Sequence, residues 1–253
     1  MRSASRGSSP AGGAGSSHRC SRSTTAYVIG WSAGTGAILA DSAAAGRHDV
    51  RVGGDVEVRV VGDDALGEAA RAAVKDLCDV SFAHRFRDDP DDAFTADDWD
   101  HTCGGVRVLL REGDRFLAHA AVVERAVDVG HPGSASAVDG IGEAGVRTLR
   151  SGYVEGVAVD PSRQGEGLGT LVMRGVAEVV RAGYEVGVLA TSSHHFYERL
   201  GWERWRGPTY VLRGEVRERS ESEDDGIMVL RLPGRDLDLS VPIACRERSG
   251  DDW

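Results

Sequence analysis

The chain has 253 residues, 41% of them hydrophobic, and 30 Lys and Arg stand against 40 Asp and Glu, for a formal net charge of −10. This acidic balance argues against nucleic acid as the main partner, because a phosphate backbone requires a basic face, and it favours cationic small molecules. The four cysteines lack zinc-ligand spacing, and no apolar run approaches the roughly 20 residues that cross a bilayer, so we expect a soluble, cytoplasmic protein without a metal.

Residues 1–54 are rich in Gly, Ser, Ala and Arg and contain few large apolar side chains. Such a composition buries too little surface to offset the entropy of ordering, so we predict a disordered leader. The weakly apolar stretch 26–40 is similar to a signal peptide, but glycines interrupt it and it begins far from Met1. The predicted folded domain is therefore 55–253.

The first half of this domain alternates strand and helix signals. Valines at every second position of 56–60 predict a half-buried strand. A helix is predicted next, with Asp63 or Asp64 as its N-cap and apolar residues at helical spacing as far as Leu77. The acidic stretch 88–101 predicts a loop or a short helix. Two apolar runs separated by a turn then predict a hairpin, 106–110 with 116–124, and the Gly-rich stretch 128–152 predicts a surface insertion.

The second half carries the clearest helix. A strand is predicted at 153–159, and one apolar stripe over 168–180 predicts a helix that Gly183 can end. A buried strand at 186–189, a cap at 191–193 and a short helix to Leu200 follow. Further strands are predicted at 210–212, 227–232 and 237–243. This order predicts an α/β protein, a mixed sheet with helices on its faces.

The connection between the strand and the long helix contains the main motif, Gln164-Gly165-Glu166-Gly167-Leu168-Gly169. Glycines let a ligand approach the main chain closely, and the unpaired N–H groups of a helix start attract anions, so such a turn can bind phosphate. A glycine-rich connection without a ligand is the plain alternative. The dinucleotide fingerprint is a further one, but it needs a different spacing, G-x-G-x-x-G, at the first strand-to-helix turn.

The turn behind Val157-Ala158-Val159-Asp160-Pro161 resembles the pyrophosphate-binding motif of the GNAT acyltransferases, which bind acetyl-CoA. Over about residues 56–253 the chain also resembles one group within them, the aminoglycoside 2′-N-acetyltransferases. The stretches that carry this second resemblance are Tyr153 to Val159, Gly201-Trp202, Trp205-x-Gly207-Pro208-Thr209, Asp224-Asp225-Gly226 and Gly250-Asp251-Asp252-Trp253. The resemblance implies the GNAT fold, a mixed and mainly antiparallel sheet flanked by helices.

Acetyl transfer from a thioester to an amine needs a neutral amine, a polarised carbonyl and a proton for the leaving thiolate. Glu155 interrupts an apolar strand beside Gly156, which predicts a bulge, and the resemblance implies that it acts as base through water; an exposed strand carboxylate is the alternative. The resemblance implies that Tyr197 is the acid that protonates the sulfur; the alternative is an aromatic residue that only packs in the core. The oxyanion donor implied is the backbone N–H near Val157.

The resemblance also implies the binding residues. The backbone of Val157 and Val159 would pair with the pantetheine arm. The pyrophosphate would be surrounded by Arg163, Gln164, Gly165, Gly167 and Gly169. A cationic aminoglycoside would be held by Asp98, Glu155, Asp224, Asp251 and the terminal carboxylate of Trp253. A homodimer without nucleic-acid or membrane partners is expected.

Two departures from the family pattern bear on the substrate. Ala93 stands where members commonly carry an acidic residue, and the segment 190–196 is short, which leaves the substrate-contacting serine equivalent open among Ala190, Thr191 and Ser192. An N-acetyltransferase of another polyamine or small amine therefore remains an alternative. A module that binds coenzyme or drug without turnover is another, against which the presence of Glu155 and Tyr197 argues.

Overall fold

The computed structural model describes residues 50–51, 56–85, 94–131 and 145–253. Its helices are α1 (Glu68–Arg85), α2 (Ala96–His101), α3 (Leu168–Gly183) and α4 (His194–Glu198). Its strands are β1 (Val50–Arg51), β2 (Val56–Gly62), β3 (Val106–Glu112), β4 (Arg115–Gly130), β5 (Val146–Val159), β6 (Val186–Ala190), β7 (Glu203–Arg204), β8 (Thr209–Arg213), β9 (Val216–Arg219), β10 (Ile227–Arg231) and β11 (Ile243–Arg246).

The strands form one mixed sheet in the order β1-β2-β3-β4-β5-β6-β10-β7. Neighbours along this path pair antiparallel except β5 and β6, which pair parallel. Strand β4 is long enough that β3 covers its edge only as far as Val122, and β11 pairs with the same strand at 127–129. Through β11 the sheet continues into β8 and β9. The predicted α/β fold, a mixed and mainly antiparallel sheet with flanking helices, is confirmed.

Alternation along the strands divides the core between the two faces of the sheet. The apolar stripe of α3, with Val172, Met173 and Val176 fully buried, packs with Tyr197 and Trp202 on one face. Strand residues on the other face form two smaller clusters. One surrounds Trp205, Tyr153 and Trp253, and the other joins Leu77 and Cys78 of α1 to Ala158. Both faces of β5 are therefore covered.

Several predicted boundaries are corrected by the structure. Helix α1 begins at Glu68 rather than at a cap on Asp63 or Asp64, because Asp63 accepts hydrogen bonds from Arg71 instead. The predicted strand 237–243 is wrong before Ile243, where β11 begins. Most of the flanks of the predicted insertion are strand: 128–130 extends β4 and 146–152 begins β5.

The predicted hairpin, the helix ending at Gly183, the strand at 186–189 and the short helix after residue 193 are confirmed. Val50–Arg51, within the predicted leader, pair with β2. The rest of the predicted leader, 1–49 and 52–54, lies outside the described residues, as do Ala93 and the centre of the predicted insertion at 132–144.

Candidate active site

Strand β5 contains the predicted bulge. Its register with β4 runs from Glu155 opposite Ala121 to Ala158 opposite His119, which leaves Gly156 and Val157 without a cross-strand partner. Gly156 has φ of +58°, a conformation that L side chains rarely adopt, and a Cβ there would meet Thr102 at 2.8 Å. The bulge shifts the alternation, so Glu155 and Val157 point to opposite faces of the sheet.

Beyond the bulge β5 has no strand on its second edge. Parallel pairing with β6 covers only Ser151 to Tyr153, opposite Val186 to Val188. Both strands continue, β5 to Val159 and β6 to Ala190, so they diverge and leave a gap in the sheet. An extended ligand can enter such a gap and hydrogen-bond to the open strand edge.

The glycine turn leads from this open edge into α3. Gly165 and Gly167 both have φ of +84°, and a Cβ built on either would meet no atom within 4 Å. Gly167 is the N-cap of α3 and offers no side chain to the first-turn N–H groups, so the turn presents free donors beside open space. Gly169 differs, because a Cβ built on it would lie 3.3 Å from the Phe196 ring. A glycine at this position therefore lets α3 pack closely against α4.

Arg163 lies beside the turn, but its guanidinium is paired with carboxylates. Nε donates to Glu166 at 2.8 Å and Nη1 donates to Glu112 at 3.1 Å. Binding a diphosphate through this residue therefore requires an exchange of ionic partners. Gln164 is exposed immediately before the glycines.

The main chain of Val159 is already hydrogen-bonded to α1. Ser81 Oγ donates to the Val159 carbonyl at 3.0 Å and accepts from the Val159 N–H at 3.2 Å. The next N–H along the chain, that of Asp160, donates to Leu117 of β4. Ser81 thus bonds the edge of β5 that faces away from β4, the edge at which the family resemblance implies the pantetheine arm.

Glu155 faces the C-terminal segment. Its Oε1 accepts a hydrogen bond from Arg248 Nη1 at 2.5 Å, and both side chains are 15% exposed. Burial raises the pKa of Glu155, while the positive charge of Arg248 acts against that rise. The carboxylate is therefore both a stronger base than an exposed glutamate and held in one direction.

Residues 248–253 are anchored to the fold by several independent bonds. Arg248 Nη2 donates to the Trp253 carbonyl at 3.1 Å, so one guanidinium joins Glu155 to the end of the chain. Asp252 accepts from Arg213 at 2.6 Å. The Trp253 ring is buried in the cluster around Tyr153, and its Nε1 donates to Ser220 at 3.2 Å. This segment is part of the packed structure rather than a frayed tail.

Helix α2 lies against the same segment. His101 Nε2 is 2.8 Å from the Ser249 carbonyl, and Asp97 accepts a hydrogen bond from Ser249. The end of α2, the bulge at Gly156 and the C-terminal segment therefore meet at Glu155. The exposed carboxylates of Asp97 and Asp251 add negative charge to this region.

Tyr197 approaches from the opposite face of the sheet. Its ring is 4.9 Å from Phe196 and 6.3 Å from Trp202, both edge-on, and it belongs to the cluster around α3. Burial raises the pKa of Tyr197 to about 12, which keeps the phenol protonated at neutral pH. The structure shows no contact between Glu155 and Tyr197; they lie on the two sides of the sheet.

Two of the predicted substrate carboxylates have structural duties. Asp98 closes a capping box at the start of α2, where its Oδ2 accepts from the Thr95 N–H at 2.7 Å. Asp224 accepts from the Thr209 N–H at 2.9 Å and pairs with Arg219, whose hydrogen bond lowers its pKa to about 2. A substrate ammonium would have to share either carboxylate with these partners. Asp251 is exposed, and its backbone carbonyl accepts a hydrogen bond from Arg248 Nε.

Sequence reasoning missed Arg248, Ser81 and His119. Arg248 and Ser81 carry no signal in the sequence, since each lies among ordinary charged or helical neighbours. His119 does carry one: it is the lone polar residue in the apolar run 117–123, and it is fully buried. The same reasoning that selected Glu155 within its strand could have selected it.

Two comparisons with known proteins bear on the family. Residues 116–204 match the family model described as the acetyltransferase (GNAT) domain. The aminoglycoside 2′-N-acetyltransferase of Mycolicibacterium fortuitum is 36% identical over 165 residues, which cover 63% of this chain and 77% of that protein. The chain belongs to the GNAT acetyltransferase family. It is accordingly an acyltransferase that takes its acyl group from acetyl-CoA.

Solved structures of the family align at low identity. YhbS of Escherichia coli, in complex with CoA, is 16% identical with a TM-score of 0.44, covering 80% of this chain and 98% of that one. A GCN5-related N-acetyltransferase of Kribbella flavida is 23% identical with a TM-score of 0.40, covering 61% of this chain and 34% of that one. The chain thus spans about a third of the length of the Kribbella protein.

The GNAT enzyme has features that fit acetyl-CoA. The open space at Gly165 and Gly167 and the uncapped start of α3 follow directly along the chain from the part of β5 that β6 leaves unpaired. Across the described ranges, no group of three or more His, Cys, Asp or Glu residues is placed to hold a metal ion. Within the same ranges, no helix has both the length and the apolarity to cross a membrane.

Proposed function

We propose that this enzyme transfers acetyl from acetyl-CoA to the 2′-amino group of an aminoglycoside within a ternary complex. The observation that carries the proposal is that one strand, β5, holds both halves of the site. Beside its bulge Glu155 pairs with Arg248 of the C-terminal segment, and its open edge leads into the glycine turn. The 36% identity with an aminoglycoside 2′-N-acetyltransferase of Mycolicibacterium fortuitum supports the choice of acceptor.

The coenzyme supplies the acetyl thioester and a thiolate leaving group. The N–H groups around Gly165 and Gly167 hold its pyrophosphate, and Gln164 flanks them. Val157, unpaired in the register, offers its N–H to the developing oxyanion. Glu155 removes the amine proton through a water molecule on its own face of the sheet, and Tyr197, protonated at neutral pH, gives a proton to the departing sulfur from the other face. Such a division of roles requires the thioester to lie in the gap between β5 and β6.

Acceptor recognition is electrostatic. The net charge of −10 attracts a polyammonium substrate, and the carboxylates near Glu155 give that attraction a direction. Asp97 and Asp251 are both exposed, although Asp97 accepts one hydrogen bond from the Ser249 hydroxyl. Both can meet an ammonium group more readily than Asp98 and Asp224, because each of those carboxylates accepts a backbone N–H and a side-chain hydroxyl of the fold.

The test uses the purified enzyme, acetyl-CoA and matched pairs of 2′-amino and 2′-hydroxy aminoglycosides. The rate of CoA thiol release measures acetyl transfer to each compound. We expect turnover with the 2′-amino members only, because a hydroxyl is a far weaker nucleophile than a neutral amine. Equal rates on 2′-hydroxy compounds would contradict the regiochemistry. Turnover with simple polyamines only would show that the acceptor is a polyamine and not an aminoglycoside, while the N-acetyl transfer itself would stand.

The contact between Ser81 and Val159 gives a second prediction. If the pantetheine arm pairs with Val159, the Ser81 hydroxyl competes with it, so Ser81→Ala should tighten acetyl-CoA binding about threefold to tenfold, the worth of one neutral hydrogen bond. The dissociation constant from calorimetry measures this. Ser151→Ala removes an equally buried serine bond, to Arg125, in the part of β5 that pairs with β6, and should leave coenzyme affinity unchanged. Weaker binding in Ser81→Ala would contradict the competition.

The family resemblance and the composition support two further proposals. The described cysteines, Cys78, Cys103 and Cys245, are all free thiols, in keeping with a reducing cytoplasm. A homodimer is expected from the resemblance alone. Light scattering of the purified chain would measure its mass in solution, and a monomeric mass would remove the second proposal.

A further inference from the structure

A chain of buried polar groups lies behind the bulge of β5. Arg107 of β3 and His119 of β4 are both fully buried. The Arg107 guanidinium lies over the Trp99 ring of α2, and His119 Nδ1 is 3.5 Å from Cys78 Sγ of α1. Arg107 Nε donates to Asp63 at 2.6 Å, and its Nη1 is 2.9 Å from His119 Nε2. On the other side of the imidazole, Nδ1 is 2.7 Å from the Gly156 carbonyl oxygen. The chain therefore ends on the residue that forms the bulge.

The partners of His119 settle the position of its proton. A guanidinium cannot accept a hydrogen bond, so Nε2, facing Arg107, must carry the lone pair. Nδ1 consequently carries the hydrogen and donates it to the Gly156 carbonyl. Burial lowers the pKa of His119 to about 3, with the charge of Arg107 acting in the same direction, so the ring stays neutral at neutral pH. The imidazole is therefore held as the Nδ1–H tautomer, which donates to the Gly156 carbonyl.

The hydrogen bond to Gly156 fixes a peptide, not only an oxygen. The Gly156 C=O and the Val157 N–H belong to the same planar trans unit and point in opposite directions. With the carbonyl held toward His119, the Val157 N–H is turned away from it. The register gives Val157 no partner on β4, and pairing with β6 has ended at Tyr153. The register therefore pairs Val157 with neither neighbouring strand, and its N–H points away from the carbonyl that His119 holds.

We infer that His119 is a positioning residue of the transferase: through the Gly156 carbonyl it holds the 156–157 peptide so that the Val157 N–H is presented to the thioester oxygen. The inference rests on the proposed function, in which Val157 stabilises the oxyanion. Asp63 and Arg107 act one step further back, since they fix the imidazole by its other nitrogen. A glycine at 156 lets the peptide adopt this orientation without strain.

Two variants separate this role from general support of the core. Neither His119→Leu nor His119→Asn places an acceptor at the position of Nε2, which faces Arg107, but the asparagine amide keeps a donor near the position of Nδ1. We expect His119→Leu to lower kcat about tenfold to a hundredfold with the acetyl-CoA KM within about threefold, because oxyanion donors act in the transition state. His119→Asn should recover most of that loss. His131→Leu, at the exposed far end of β4, is the matched control.

Amide NMR distinguishes coenzyme binding at the glycine turn from the effect of His119 on Val157. In the wild type, acetyl-CoA should shift the Gly165, Gly167 and Val157 amides; in His119→Leu the glycine shifts should persist and the Val157 shift should be lost. Absence of glycine shifts in the wild type would refute coenzyme binding and with it the proposed function. Glycine shifts with an identical Val157 response in both proteins, or equal kcat loss in the Leu and Asn variants, would overturn the role of His119.

A measurement on the wild type alone covers the case in which His119→Leu does not fold. The imidazole 15N shifts report which ring nitrogen carries the hydrogen, and we expect Nδ1–H at pH 7. An Nε2–H tautomer would leave the Gly156 carbonyl without its donor, and a charged ring would set an Nε2–H against the Arg107 guanidinium. Either result would overturn the inference.

Discussion

Replacing Glu155 by glutamine should lower kcat for acetyl transfer about 100-fold while leaving the acetyl-CoA KM nearly unchanged, the lower end of what general bases contribute. Glutamine keeps the size of the side chain and an acceptor for Arg248, but it cannot take a proton. The coenzyme path at Gly165 and Gly167 is not touched by the change. Steady-state kinetics with both substrates varied would measure the split.

The control is Glu124→Gln, an exposed carboxylate on β4 that pairs with Arg150 and has no part in the site. It should be indistinguishable from the wild type. Normal transfer by Glu155→Gln, with unchanged thermal stability, would remove the base from Glu155. The residue would then be an ordinary strand carboxylate that happens to pair with an arginine.

Replacing Arg248 by methionine should raise the aminoglycoside KM at least about tenfold, because charge-assisted contacts that order a binding segment are lost together. The same side chain holds Glu155 and the Trp253 carbonyl. The acetyl-CoA KM should change little, since the glycine turn lies at the other end of β5. Thiol-release kinetics at saturating acetyl-CoA would measure the acceptor KM.

The pH profile gives the same variant a distinct signature. Arg248 lowers the pKa of Glu155 against the effect of burial, with His101 and Arg125 acting in the same sense from α2 and β4. Removing Arg248 therefore raises that pKa further, and since the base must be ionised, the acid limb of kcat/KM should move to higher pH. An unmoved acid limb would separate Arg248 from Glu155.

The free energy of unfolding of Arg248→Met can be compared with that of a control variant at an exposed ion pair. Breaking a buried ion pair leaves an uncompensated charge, so Arg248→Met should lower the free energy of unfolding by roughly 3 kcal/mol at neutral pH. Arg231→Met removes a bidentate pair with Glu203 of which both sides are 40% exposed. Because solvent screens that pair, its loss should leave kinetics and pH profile unchanged and cost little stability.

Local patterns in the chain predicted the local structure well. The stripe over 168–180 identified α3, and three glycines behind a strand identified the turn. The bulge beside Glu155 could also be predicted, because a charged residue next to glycine interrupts an apolar strand. The start of α1 could not: Asp63 looks like a helix cap, yet Arg71 and Arg107 draw its carboxylate into a buried network.

The roles of the acidic residues also could not be predicted from the sequence alone. Asp98 and Asp224 have the chemistry to bind an ammonium group, and only their partners in space reveal that one caps a helix and the other closes a turn. Conversely, Trp253 reads as the end of a polar segment, and only the fold shows that it is buried.

The sequence by itself determined the fold class, the glycine turn and the family, because these depend on periodicity and on residues that are close together in the chain. Only the tertiary structure decided what faces Glu155, what occupies the edge at Val159 and what fixes the peptide at Gly156. Arg248, Ser81 and His119 reach their partners across 93, 78 and 37 positions. A hydrogen bond acts over about 3 Å of space, whatever the separation along the chain, and only folding brings such distant groups that close.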